Sequence, residues 1–182
     1  MTLILFFGLL LWVLVHIWKS VAPDHRASFG DKGKIIIIVG SVIAIVLMVI
    51  GYRGAEGMVF WNRTAGMTAL NNVLMVFAFY LFAASGAKTR ITMYIRNPQF
   101  ASVIVWAVAH LLVNGDTSSL LLFGGMALWA TTEIVLINSI RVPLMPYQAV
   151  PVKKEITAVI ATIVVVAVAA GIHTALGYNP FG

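Results

Sequence analysis

The sequence predicts an all-α fold: a polytopic membrane bundle of six transmembrane helices forming a single domain over residues 1–182. Three observations carry that prediction. Hydrophobic residues make up 61% of the chain and charged ones only 10%, whereas an ordinary soluble domain is about 25% charged. Apolar stretches recur six times, each near the roughly 20 residues that cross about 30 Å of hydrocarbon. The segments between them alternate between strongly basic and nearly neutral. Six spans and their connections use up the 182 residues and leave no separate soluble domain.

The first span, 2–18, begins without a basic region or a small-residue cleavage site, so it reads as a retained helix. Its strongly polar residue is His16, near its far end. The loop KSVAPDHRASFGDKGK follows, in which His25 reads as a solvated interfacial residue. The second span is 35–52, and the loop after it carries Trp61, an interfacial type of residue. The third span, 68–86, has adjacent amides, Asn71 and Asn72, in its first turn. A basic connector, AKTRITMYIRNP, leads into a helical hairpin. One arm, 98–114, is apolar apart from His110; the other, 118–139, is apolar apart from Glu133, two threonines and an asparagine. Asn114, Gly115 and Asp116 leave only a short turn between them. Beyond Arg141, the three prolines of VPLMPYQAVPVKKE mark a loop, and the sixth span, 156–176, carries His173 near its end. No internal repeat or low-complexity segment stands out beyond the hydrophobic bias.

Loops one, three and five hold Lys19, Arg26, Lys32, Lys34, Lys88, Arg90, Arg96, Arg141, Lys153 and Lys154, whereas loops two and four and the termini hold only Arg53 and Arg63. Positive charge stays inside, so the odd loops face the cytoplasm and both termini the periplasm. The net charge of +6 accordingly reports topology and contact with anionic headgroups of the lipid bilayer rather than nucleic acid.

Ionisable residues at such depth are functional candidates by default. With about 1.5 Å of rise per residue, His16 lies about 9 Å and Glu133 about 7 Å toward the cytoplasm from mid-span, and His110 about 6 Å toward the outside. His173, Asn71, Asn72, Asn114 and Asp116 also belong to the outer half. Two polar levels result: an outer one with His110 and His173, and an inner one where His16 and Glu133 are able to meet. Neutral imidazoles in apolar helices suit the iron of b-type haem, and a helical bundle makes a slot for it; interhelical hydrogen bonding is the plainer explanation of a lone histidine. Similar height favours His110 with His173 as a ligand pair. Glu133 is then a proton-handling or structural group. Trp12, Trp18, Trp106 and Trp129 either flank a flat ligand or serve as packing and interface anchors. Gly124 and Gly125 allow close helix approach or room for a planar ligand.

The chain has no cysteine, which removes disulfides, thiolate ligands and thiol nucleophiles. It has no G-x-S-x-G, no H-E-x-x-H and no glycine-rich phosphate loop. These absences argue against a hydrolase or an ATPase, and no pair of broken helices suggests a transporter.

The residues Arg96 to Gln99 (R-x-P-Q), Trp106 to Asp116 (W-x-x-A-H-L-L-x-N-G-D) and the run S-L-L-L-F-G resemble the NnrU family of bacterial membrane proteins. The segment VHIWKSVAP around His16 and G-I-H-x-x-L-G-x-x-P around His173 extend the likeness over nearly the full length. The family is named for an association with nitrite and nitric oxide reductase regulation in denitrifiers, so the resemblance implies a multi-pass protein of the bacterial inner membrane. It is also similar to zeta-carotene isomerase, a membrane enzyme that uses haem b to isomerise a polyene. That likeness implies His16 and His110 as haem ligands, with His173 in the place of a third histidine. Two departures stand out. Ala107 occupies a position where the isomerase type can place a cysteine, so no thiolate ligand is expected there, and Asn97 replaces the histidine of an R-H-P triplet.

The resulting expectation is a bundle holding haem b through His110 and either His16 or His173. Its role is sensing or assisting nitrogen-oxide metabolism, with nitric oxide as ligand and a protein partner for output. The alternatives are a haem-dependent cis-trans isomerase of a carotenoid-like polyene, and a cofactor-free proton-handling or structural bundle.

Overall fold

A computed structural model of the chain describes residues 1–139 and 149–181. Its helices are α1 (Thr2–Val21), α2 (Pro23–Ser28), α3 (Gly30–Gly54), α4 (Ala65–Ala87), α5 (Pro98–Val113), α6 (Thr117–Ser119), α7 (Gly125–Ser139) and α8 (Val152–Ala175). A π-helical turn, Leu120–Gly124, joins α6 to α7, so that Thr117–Ser139 is one continuous apolar segment. Five segments, namely α1, α3, α4, Thr117–Ser139 and α8, are long and apolar enough to cross a bilayer; α5 is equally apolar but shorter, at 16 residues. The protein is therefore an all-α multi-pass membrane bundle with five candidate transmembrane helices.

Local chemistry explains where the helices begin and end. Pro23, with its φ preset for a helix start, opens α2 inside what the sequence reads as loop. Pro151 precedes α8, which begins at Val152 rather than at residue 156. The side chain of Thr64 caps α4 by accepting from the Met67 amide at 3.3 Å. At the other end of α4, Lys88 takes a left-handed conformation with φ of 56°. The predicted loop with Arg141, Pro143 and Pro146 lies outside the described residues. Two short strands, β1 (Val59–Trp61) and β2 (Gly115–Asp116), pair antiparallel, so the turn at Gly115 also serves as a strand. Gly115 suits that place because a Cβ there would strike the ring and carbonyl of Trp61.

The chain gathers into two compact units. The first contains α1, α2, α3, both strands, α6 and α7. Here α1 and α3 run antiparallel: Gly40 lies on Val15, Met48 on Gly8, Gly51 on Leu5 and Gly54 on Met1. The approach is tightest at Gly51, where a Cβ would run into the backbone nitrogen of Leu5. By contrast, α1 and α7 run parallel, since Leu9 meets Gly125, Trp12 meets Trp129 and Ser20 meets Glu133. In the second unit α4 packs against both α5 and α8. The Arg90 amide, just past the end of α4, donates to Glu155 Oε1 near the start of α8 at 2.8 Å. Asn72 Nδ2, near the start of α4, donates to the Phe181 carbonyl beyond the end of α8 at 3.3 Å. These two bonds make α4 and α8 antiparallel.

Small residues dominate the interior: Ala44, Ala78, Ala84, Ala107, Ala109, Ala130 and Ala158 are buried. Large aliphatic side chains such as Ile38 (62% exposed) and Leu128 (69%) point outward, the distribution expected where lipid is the surrounding solvent and close backbone approach drives association.

Gly51→Leu should lower the thermal stability of the detergent-solubilised protein by about 1–3 kcal/mol or more through overpacking. Gly171→Ala, mid-helix with nothing within 4 Å of the added carbon, should leave it equal or higher by up to about 1 kcal/mol; a thermal-unfolding series compares the two.

Candidate functional site

Each intramembrane histidine is held by its own helix. Nδ1 of His16 lies 2.8 Å from the Trp12 carbonyl, Nδ1 of His110 2.9 Å from that of Trp106, and Nδ1 of His173 2.8 Å from that of Ala169. A carbonyl oxygen only accepts, so Nδ1 carries the proton in all three rings. In each neutral imidazole the lone pair therefore sits on Nε2, the arrangement found in metal-ligating histidines whose other nitrogen donates to a backbone carbonyl.

The tryptophans accompany the histidines. The Trp12 and His16 rings stack at 4.0 Å and 27°, and Trp129 meets His16 edge-on at 5.2 Å and Trp12 at 5.4 Å. Trp106 lies 4.9 Å from His110 at 52°. Trp18 Nε1 donates to Nδ1 of His25 at 3.0 Å, with Phe29 beside both rings, so His25 is exposed but not merely solvated. Behind these contacts is a pattern passed over in reading the sequence. W-V-L-V-H at Trp12–His16 and W-A-V-A-H at Trp106–His110 repeat one motif, placing an indole one helical turn before an imidazole on the same face. His173 has Ala169 in that position.

The inner polar level is built differently from the expectation. Glu133 is 3% exposed, and its Oε2 accepts from Ser20 Oγ at 3.0 Å. Among the described residues no hydrogen bond or ion pair joins it to His16, and its Oε1 is buried with no hydrogen-bond partner. Ser20, not His16, is the partner. It follows Lys19 in what the sequence reads as loop, where a lone serine gives no signal of its own.

Asp116 is a helix cap. Its Oδ1 accepts from the Ser119 amide at 2.9 Å and its Oδ2 from the Ser119 hydroxyl at 2.7 Å, and that hydroxyl in turn lies 2.9 Å from Tyr52 Oη. The order Asp-Thr-Ser-Ser before an apolar run was the available sign. Asn71 Nδ2 donates to Asn72 Oδ1 at 3.1 Å, and Asn72 ties down the carboxyl-terminal tail. Asn114 is half-buried at the turn. Of the two outer histidines, His110 is half-buried on α5 and His173 exposed on α8, within electrostatic reach of each other.

A family model described as NnrU protein matches residues 4–180. The chain belongs to the NnrU family. No curated protein and no solved structure matches it. Among the described residues of this NnrU protein no group of three or more His, Asp or Glu converges as ligands for a bare metal ion. Haem makes a smaller demand, since the porphyrin supplies four nitrogens and the protein one or two axial ligands. Imidazoles with the lone pair on Nε2, in a chain free of cysteine, fit that donor set.

Ser20→Ala should lower stability by about 0.5–2 kcal/mol by removing the donor to a buried carboxyl. The double variant Ser20→Ala/Glu133→Leu should recover most of the loss, since an apolar pair needs no hydrogen bond. Thermal unfolding of the two variants checks this, and a double variant as weak as the single one contradicts it.

Proposed function

We propose that this NnrU protein is a six-span, b-type haem protein of the bacterial inner membrane acting in nitrogen-oxide metabolism or sensing, with His110 and either His16 or His173 as axial ligands. The observation that carries this reading is the shared seating of the histidines: in each, a helix carbonyl holds the Nδ1 proton and turns Nε2 into the donor nitrogen. Bound haem would supply one-electron redox chemistry and, where one of the two histidines is displaced, an axial position for a small ligand such as nitric oxide. The protein's own part is to present imidazoles of one tautomer and to surround them with apolar side chains. Output requires a protein partner. The place of His110 and His173 in one compact unit supports His173 as second ligand, whereas the shared W-x-x-x-H pattern supports His16.

The sixth crossing is α5, and chain direction supports it three times. Strands β1 and β2 pair, and with the loops that carry them on one side of the membrane and the long helix α4 between them, a crossing by α5 is the arrangement this favours. Parallel α1 and α7, and antiparallel α4 and α8, each demand the same number of crossings. Combined with the basic odd-numbered loops, six crossings leave both termini periplasmic.

A second reading, a haem-dependent isomerase of a carotenoid-like polyene, is favoured by one feature. An apolar cavity of about 250 Å³ lies between α1 and α7, lined by Phe6, Leu9, Leu10, Val13, Gly125, Leu128 and Trp129 among others, and Trp129 is the residue that meets His16 edge-on.

Oxidised and dithionite-reduced absorption spectra with a pyridine haemochrome test the central claim. His110→Ala should abolish haem binding. Of His16→Ala and His173→Ala, the one that removes the second ligand should turn a low-spin spectrum high-spin, and the other should look like wild type. Glu133→Gln should leave the spectrum unchanged. A colourless protein from haem-replete cells refutes the proposal. For topology, cysteines introduced into this cysteine-free chain should react with an impermeant maleimide in the periplasm at Asn62→Cys and Tyr178→Cys, but not at Ser28→Cys and Asn97→Cys.

A further inference from the structure

The duplicated W-x-x-x-H motif separates two tasks that a ligand-bearing histidine needs done. The backbone carbonyl four residues earlier decides which ring nitrogen carries the proton, and every helix offers that carbonyl: His173 has it from Ala169 as surely as His16 has it from Trp12. It does not determine the plane of the ring. Rotation about the bond from Cβ to an aromatic ring is broad and soft, and one hydrogen bond to a carbonyl tolerates a wide swing. In His16 and His110 the indole at the same position closes that freedom, stacked at 4.0 Å and 27° in one and inclined at 4.9 Å and 52° in the other. Trp12 Nε1 is buried without a hydrogen-bond partner, so in that copy the ring face, not the N–H, makes the contact. Trp129 adds an edge against His16.

We propose that Trp12 and Trp106 are positioning residues, each fixing through its indole ring the plane of the imidazole whose tautomer its carbonyl sets, with His173 as the copy that lacks the indole. That these planes serve a haem iron rests on the reading given above; that the indoles fix them does not.

The test is solid-state NMR of full-length protein labelled with ¹⁵N-histidine in lipid nanodiscs, under dithionite so that a bis-histidine haem is diamagnetic. His16 and His110 should each give one narrow set of ring resonances with the proton on Nδ1, and His173, where His173→Ala shows that it is not the iron ligand, a broader set with the same proton position. Trp12→Leu should broaden or split the His16 set alone, and Trp106→Leu the His110 set alone. In neither should the proton move to Nε2. Trp12→Phe and Trp106→Phe should restore narrow lines, and Ala169→Leu should leave His173 as it was. Equally narrow lines in the Leu variants overturn the proposal, as does movement of the proton. A Leu variant that fails to fold loses the His25 and His173 signals as well; the Phe variant then decides, and a broad target histidine beside sharp His25 overturns the proposal there. A haem-free sample that shows the expected line shapes refutes the haem reading while the positioning role stands. In oxidised haem-loaded samples Trp106→Leu should change the low-spin electron paramagnetic resonance spectrum at unchanged haem content, and Trp12→Leu should do so where His16→Ala has identified His16 as the second ligand.

Discussion

Within hydrocarbon no water is available to complete a hydrogen bond, so each polar group that enters the bilayer must find its partner within the protein or carry the cost of having none. The side-chain chemistry of this chain follows from that constraint. Thr131, Thr132, Thr157, Thr162 and Thr174 all turn their hydroxyls back to a carbonyl four residues earlier, and the three intramembrane histidines do the same with Nδ1. The helix is the nearest supply of acceptors, and it is filled first. For threonine the result is only satisfaction. For histidine it has a chemical consequence, because occupying one ring nitrogen determines the character of the other. A requirement imposed by the solvent thus prepares three donor nitrogens of the same kind.

The same solvent removes the usual reason for large side chains to seek the interior. Lipid is as apolar as leucine, so the helices are held by close approach of their backbones, and glycine and alanine mark where they touch. Gly51 on Leu5 and Gly125 on Leu9 are such points. The bulky rings of Trp12, Trp129 and His16 sit together between α1 and α7. At Trp106 and His110 one indole again lies beside one imidazole.

Glu133 is different. Among the described residues the Ser20 hydroxyl is the hydrogen-bond partner of its carboxyl, in place of the expected histidine. Glu133 therefore belongs to the packing of α1 against α7, one helical turn beyond the contact of Trp129 with His16. The outer polar residues divide in a similar way: Asp116 and the two asparagines complete helix ends and the tail, leaving the histidines as the residues with chemistry to spare.

By itself the sequence determined that this protein is a multi-pass α-helical membrane protein, approximately where its apolar helices lie, which ionisable residues they carry, and, through its motifs, its membership of the NnrU family. These properties depend on composition over some twenty consecutive residues or on local patterns, and both are read along the chain. Two local features were equally legible but passed over: the cap at Asp116 and the W-x-x-x-H pair. Tertiary structure alone decided that Ser20 meets Glu133 from 113 positions away, that Trp129 closes over His16, and that β1 finds β2. The physical reason is that a helix apolar on all sides has no polar face to show which side turns inward. Its partners are chosen by the fit of small residues against large ones across two helices, a property of the pair that neither segment carries alone.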